Sequence, residues 1–131
     1  MRRFVVDAGV ILHFLAADIE LPSHHELLAP TLVRSEVLDA LYRAVLRGDQ
    51  SEEVGRQRLA RFAEMKIRYL GDKVLRRRAW LLAKELGWQS TFPAEYLALT
   101  QLQADAFVTL DEDLAQGVIG VVETARIEDL F

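Results

Sequence analysis

The sequence predicts an α/β protein: a three-layer α/β/α sandwich with a mainly parallel central sheet. Three observations predict it. Short apolar, partly β-branched runs alternate with longer stretches of helical spacing along the whole chain. The first run, Phe4-Val5-Val6, stops at one carboxylate, Asp7, followed by the small residues Ala8 and Gly9. A later run, Ala106-Phe107-Val108-Thr109, is followed a residue later by another carboxylate, Asp111. Alternation of this kind implies parallel strands joined by helices that cover both faces. In open sheets of this class ligands bind at the carboxyl ends of the strands.

The elements follow in order. Arg3–Val6 reads as the first strand, because β-branched and aromatic residues suit a pleated, buried surface. Ala8 to Ala16 reads as a helix, and Leu21-Pro22-Ser23-His24-His25 as a connector. Glu26-Leu27-Leu28-Ala29 is a short second strand ended by Pro30, which is tolerated at the start of the next helix because it lacks an N–H. Thr31–Leu46 carries Leu32, Val33, Val37, Leu38, Leu41, Val45 and Leu46 at helical spacing, and Gly48 closes it. Ser51 caps a helix with Glu52 and Glu53 in its first turn, running to about Ala63. Met65–Leu70 is a strand or an extended connection. Asp72 caps a helix from Lys73 to Leu86, ended by Gly87. Thr91–Gln103 is a helix with Pro93 near its start and Tyr96, Leu97, Leu99 and Leu102 on its apolar side. Asp105–Thr109 is a strand, Leu110–Ala115 a turn and short helix, Val118–Val122 a last strand, and Arg126–Phe131 a tail.

At 131 residues the chain fits a single domain, 1–131, with room for a real core. Hydrophobic residues at 51% and charged residues at 27% give a globular rather than a disordered composition. No run reaches the ~20 apolar residues of a membrane span. Asp7 interrupts the apolar stretch behind Arg2 and Arg3, so a signal peptide is not expected and the cytoplasm is the default location. The absence of cysteine excludes disulfides and thiolate metal sites. A net charge of −4 disfavours tight binding of duplex nucleic acid by broad neutralisation. Basic residues nevertheless cluster between Arg43 and Arg78, either as solvated helix faces or as a border that draws a phosphodiester towards an acidic pocket.

The carboxylates carry the chemistry. A core strand does not end on an aspartate unless that side chain is solvated, paired or bound to a cation. Asp7 and Asp111 follow separate strands and belong to the same edge of a parallel sheet, with Asp113 two residues beyond. Glu36 lies between Val33 and Val37 near the start of its helix, and Glu95 lies in the first turn after Pro93. Crowded carboxylates raise one another's pKa unless a cation sits among them, and oxygen ligands without His or Cys suit Mg²⁺ or Mn²⁺. Each also has an ordinary structural role: Glu36 and Glu95 at the positive ends of helices, Asp111 as an N-cap, Asp113 at the surface. His24 and His25 are adjacent, share no helical face, and read with His13 as loop or surface residues. Trp80, and Trp88 after Gly87, read as core or as platforms for bases, Trp80 the more readily as core. Leu12, Phe14, Leu38, Leu41 and Tyr42 are core, a dimer face or a partner's groove.

Four segments together resemble a known family: Val5-Val6-Asp7-Ala8-Gly9-Val10, Thr31-Leu32-Val33-Arg34-Ser35-Glu36-Val37, Ala94-Glu95-Tyr96-Leu97-Ala98-Leu99, and Phe107-Val108-Thr109-Leu110-Asp111-Glu112-Asp113-Leu114-Ala115. In order and spacing they resemble the PIN-domain ribonucleases, and among them the VapC-like toxins of toxin–antitoxin pairs. The resemblance implies a PIN-like fold and a metal-dependent endoribonuclease acting on RNA. It also implies Mg²⁺ or Mn²⁺ at the acidic cluster, a homodimer, and inhibition by a small antitoxin protein. By the same resemblance Asp7, Glu36 and Asp111 are site acids, Asp113 is an outer metal ligand, and Thr109 is a hydroxyl that positions a water. One position departs from the pattern. Where the family usually carries an aspartate before the Ala of its Ala-x-Tyr segment, this chain has Pro93, and the nearest acid is Glu95. Two residues are about 200° of helical rotation, so Glu95 substitutes only if its helix begins differently or is turned. An alternative to the nuclease is a PIN-like module that has lost one ligand and only binds RNA or protein.

Overall fold

The computed structural model describes residues 1–131. Five strands form one parallel sheet: β1 (Arg3–Val6), β2 (Glu26–Pro30), β3 (Arg68–Leu70), β4 (Ala106–Val108) and β5 (Thr124–Ala125), in the order β3-β2-β1-β4-β5. The helices between them are α1 (Ala8–Ala17), α2 (Leu32–Leu46), α3 (Glu52–Glu64), α4 (Lys73–Leu86), α5 (Phe92–Gln103) and α6 (Glu112–Gly117). A 3₁₀ turn, Ile127–Leu130, ends the chain. The chain passes from β1 to β2 to β3 in one direction and returns to β4; with the right-handed crossovers that parallel strands adopt, α1–α3 and α4–α6 fall on opposite faces. The packing agrees: α1, α2 and α3 contact one another, while α5 lies across β1, β2 and β4 with α4 along it. This is the α/β/α sandwich that the alternation predicts. No helix is long and apolar enough to cross a membrane.

The central strands have no solvent-facing side. Phe4, Val5 and Val6 of β1 and Ala106, Phe107 and Val108 of β4 are fully buried, as strands covered by helices on both faces must be. Each large side chain buried this way contributes about 1.5–3 kcal/mol. Thr100 is the one polar residue in the core, and its hydroxyl donates to the Tyr96 carbonyl at 2.8 Å. The strand order reverses between β1 and β4, which opens a crevice beyond their carboxyl ends.

Several boundaries differ from expectation. Pro30 does not open a helix: it is the last residue of β2, in register with Leu70, and α2 starts at Leu32. The stretch at 65–70 resolves into β3, parallel to β2. The last strand is not Val118–Val122. That segment turns back on itself, with the Val121 N–H donating to the Val118 carbonyl at 2.9 Å and Gly120 at φ +85°. Strand pairing resumes only at Thr124 and Ala125. Trp80 is not core: it is 67% exposed, because Ala79, Leu82 and Ala83 take the inward face of α4. Among the apolar residues of α1 and α2, Phe14 and Leu41 are buried, whereas Leu38 and Tyr42 are exposed.

Candidate active site

β1 and β4 run side by side with Val6 in register with Val108, so Asp7 and Thr109 emerge together at the carboxyl edge. The Thr109 hydroxyl donates to Asp7 Oδ2 at 2.5 Å and accepts the Asp111 N–H at 3.1 Å. One threonine thus ties the two aspartates to each other. Asp7 is also the N-cap of α1, its Oδ1 accepting the Val10 N–H at 3.0 Å. Asp111 caps α6 in the same way through the Leu114 N–H at 3.0 Å. The structural role foreseen for Asp111 is therefore present, and it leaves Oδ2 uncommitted.

Glu36 arrives from α2. It is half-buried, and its Oε1 accepts the phenolic hydrogen of Tyr96 on α5. Asp7, Glu36, Pro93, Tyr96 and Leu114 line a cleft of about 230 Å³. Asp111 and Asp113 line an adjoining cleft of about 460 Å³ with Trp88 and Ser90, and Pro93 and Leu114 border both. Glu95 lines neither. α5 begins at Phe92 with Pro93 in its first turn, so Glu95 is turned away from the place that Pro93 occupies.

None of these carboxylates forms a salt bridge. Burial pushes the Asp7 carboxyl above its ordinary range; the Thr109 and Val10 hydrogen bonds oppose this, and the Asp111 charge adds to it. Glu95 is also pushed up, by burial and by Glu36, with Arg76 opposing. The Tyr96 phenol is pushed far up by burial and by its bond to Glu36, so it remains a donor at any physiological pH. Asp7 and Glu36 share one cleft, while Asp111 and Asp113 share the adjoining one.

The donors are all hard oxygens, which suits Mg²⁺ or Mn²⁺. No three acidic or imidazole side chains stand close enough to share one ion. That excludes a three-carboxylate cage as the side chains stand. It leaves the mode common for Mg²⁺, in which one or two carboxylates are completed by water and substrate phosphate. Asp7, and Asp111 in the adjoining cleft, offer carboxylates of that kind.

Tyr96 is the participant that sequence reasoning missed. Its spacing put it with the apolar side of α5, and its ring does pack there, 6.1 Å from that of Phe107. The available signal was chemical: a buried tyrosine needs a partner for its hydroxyl.

No family model matches the sequence, and no curated protein does. Solved structures do share the fold. The structure of PAE2754 from Pyrobaculum aerophilum superposes with a TM-score of 0.77 over 98% of this chain and 92% of that one, at 20% identity. The structure of VapBC-1 from nontypeable Haemophilus influenzae gives a TM-score of 0.58 over 95% of this chain and 97% of that one, at 13% identity. The fold is PIN-like.

Proposed function

We propose that this chain is a metal-dependent endoribonuclease that hydrolyses RNA phosphodiester bonds. In this reading it is the toxin of a toxin–antitoxin pair, acts in the cytoplasm, and is restrained by a small antitoxin protein. The observation that carries the reading is the desolvated Asp7 carboxylate, which Thr109 joins to the backbone of the exposed Asp111 at the point where the strand order reverses. A buried carboxylate with only hydroxyl, N–H and like-charged neighbours is poised for a cation. The PIN-like fold and the four sequence segments favour phosphodiester hydrolysis over other cation chemistry.

In this proposal Asp7 and Asp111 hold Mg²⁺ or Mn²⁺, with Asp113 as an outer ligand through water. Bound there, the cation would supply Lewis-acid stabilisation of phosphoryl charge and activation of water. Thr109 orients Asp7 and offers a hydroxyl beside it. Glu36, fixed by Tyr96, faces the cleft as the group that accepts a proton from water. Glu95, outside the cleft, acts through its charge on Glu36. Leu38, Tyr42 and Leu46 recur one turn apart on α2 and are exposed, which supports α2 as the face for a second copy or the antitoxin.

Pro93 supports a second reading, a PIN-like module that binds RNA or protein without cutting it, because the cleft has proline where the family pattern puts an acid. One experiment separates the two: a defined single-stranded RNA is incubated with the protein in Mg²⁺, Mn²⁺ or EDTA, beside Asp7→Asn. The nuclease reading expects cleavage that needs the cation and is lost in Asp7→Asn. RNA bound but uncut with either cation favours the second reading.

A further inference from the structure

α4 has an outer face that the core does not use. Leu75, Ala79, Leu82 and Ala83 turn inward, while Lys73, Arg77, Trp80 and Lys84 fall within about 60° of one another on the opposite side. Trp80 is 67% exposed, flanked by Val74 and Leu81 at more than half exposure. The six salt bridges of the chain all lie elsewhere, so Lys73, Arg76, Arg77 and Lys84 have no carboxylate partner. Arg76 hydrogen-bonds the Gly71 carbonyl at 3.5 Å, and only Gly71 and Asp72 separate β3 from α4, so this end of the face stands at the carboxyl edge of the sheet, the edge that carries the cleft. Glu85 stands at the margin of the face.

We propose that the outer face of α4 is a binding surface for single-stranded polynucleotide, with a base stacked on Trp80 and phosphates met by Lys73, Arg76, Arg77 and Lys84. It rests on the phosphodiesterase reading and extends it, because the face would lead a strand to the cleft. From Lys73 to Lys84 is about 16 Å of helix, enough for a few nucleotides. Unpaired cations around an exposed indole are the combination by which single strands are held: backbone charge neutralised, bases stacked. A second copy of this chain is a poorer occupant, since a two-fold contact would set these cations against themselves.

The test is the affinity of the full chain for a labelled oligo(U) of about ten nucleotides, within the usual site size, in EDTA so that cutting is suppressed. A matching oligo(dT) arm distinguishes RNA from DNA; binding of either supports the surface, and preference for oligo(U) identifies RNA. Trp80→Ala is expected to weaken binding about 5- to 160-fold, the loss of one base stack, and Trp80→Phe to recover most of it. Arg77→Ala with Lys84→Ala is expected to lower the slope of log affinity against log salt by about 1.4, or ~0.7 for each lost phosphate contact. Circular dichroism verifies folding of each variant. Undiminished affinity in Trp80→Ala and an unchanged salt slope overturn the proposal, as does failure to bind either oligonucleotide. RNA cut with the same KM by wild type and Trp80→Ala removes the surface and leaves the nuclease. Oligonucleotide bound through Trp80 but never cut with Mg²⁺ or Mn²⁺ removes the nuclease and leaves the surface.

Discussion

The two edges of the sheet treat acidic side chains in opposite ways. At the amino edge Glu26 is held between Arg3 at 3.1 Å and Arg68 at 3.3 Å, and Asp105 accepts the Arg3 N–H at 2.7 Å. At the carboxyl edge Asp7 and Glu36 receive hydroxyl and backbone N–H donors only, neither forms a salt bridge, and the charge that acts on Asp7 is another acid, Asp111. The first arrangement neutralises charge and fixes the register of β1, β2 and β3. The second keeps carboxylates ionisable, oriented and unneutralised, at an electrostatic cost that the fold bears without return in stability. An edge built that way is expected to gain stability when its charge is removed and to lose activity.

Asp7→Asn breaks the comparison most sharply. Asparagine caps a helix as well as aspartate does, and it keeps an acceptor for the Val10 N–H. Cleavage of RNA is expected to fall at least a thousandfold, about 4 kcal/mol of transition-state stabilisation. The melting temperature is expected to hold or rise, because a desolvated charge beside Asp111 is gone. Loss of activity together with a large fall in melting temperature would mean that Asp7 serves the fold and not the site.

Tyr96→Phe comes next. It keeps the ring in the core and removes only the donor to Glu36. A hydrogen bond to a charged group contributes about 1.5–3 kcal/mol, so thermal unfolding should register the loss. Cleavage is expected to fall roughly 10- to 100-fold as Glu36 loses its fixed position. Unchanged kcat would show that Glu36 does not act through this bond.

What could be read in advance follows the same division. The place of Asp7 at the carboxyl edge was legible because an acid at the tip of a β-branched run contradicts the pattern around it, and that of Asp111 because it follows the second such run. Helix boundaries at Asp72 and Gly87 were legible because capping is local chemistry. The Glu36–Tyr96 bond was not, since it joins residues 60 positions apart on α2 and α5, and periodicity gives only the apolar face of each helix. Trp80 lies in a continuous apolar run, Ala79-Trp80-Leu81-Leu82-Ala83, where neighbouring residues point about 100° apart. Spacing alone could not say which of them the core would accept. Val118–Val122 is β-branched enough for a strand, but tertiary pairing with β4 selected Thr124 and Ala125 instead.

The pH dependence of stability is a smaller signature with a definite sign. Asp7 and Glu95 both hold their protons to higher pH in the folded chain than their ordinary values of 3.8 and 4.5. Between the ordinary and the raised value the folded chain binds more protons than the unfolded one. Stability is therefore fullest below that window and declines as pH rises through it. A melting series from about pH 3.5 upwards should show this component in wild type and its reduction in Asp7→Asn. Mg²⁺ added above the window should recover part of the loss, since a ligand of the folded state stabilises by mass action.

Glu26→Gln should give the smallest effect and sharpens the contrast from the other side. Glu26 retains a quarter of its exposure, and its two arginines are about half exposed, so solvent screens both pairs. Each such pair is worth about 0–1 kcal/mol. A loss of about 1 kcal/mol in a chain of this size lowers the melting temperature by roughly 3 °C. The difference from wild type should vanish in 1 M salt, where the screening length is only about 3 Å. Cleavage should be unchanged, because β2 keeps its backbone pairing with β1 and β3 and the change lies at the far edge from Asp7. If Glu26→Gln instead slowed cleavage while melting as wild type, the two edges would be coupled through β1. The division of labour between neutralised and unneutralised acids would then have to be abandoned.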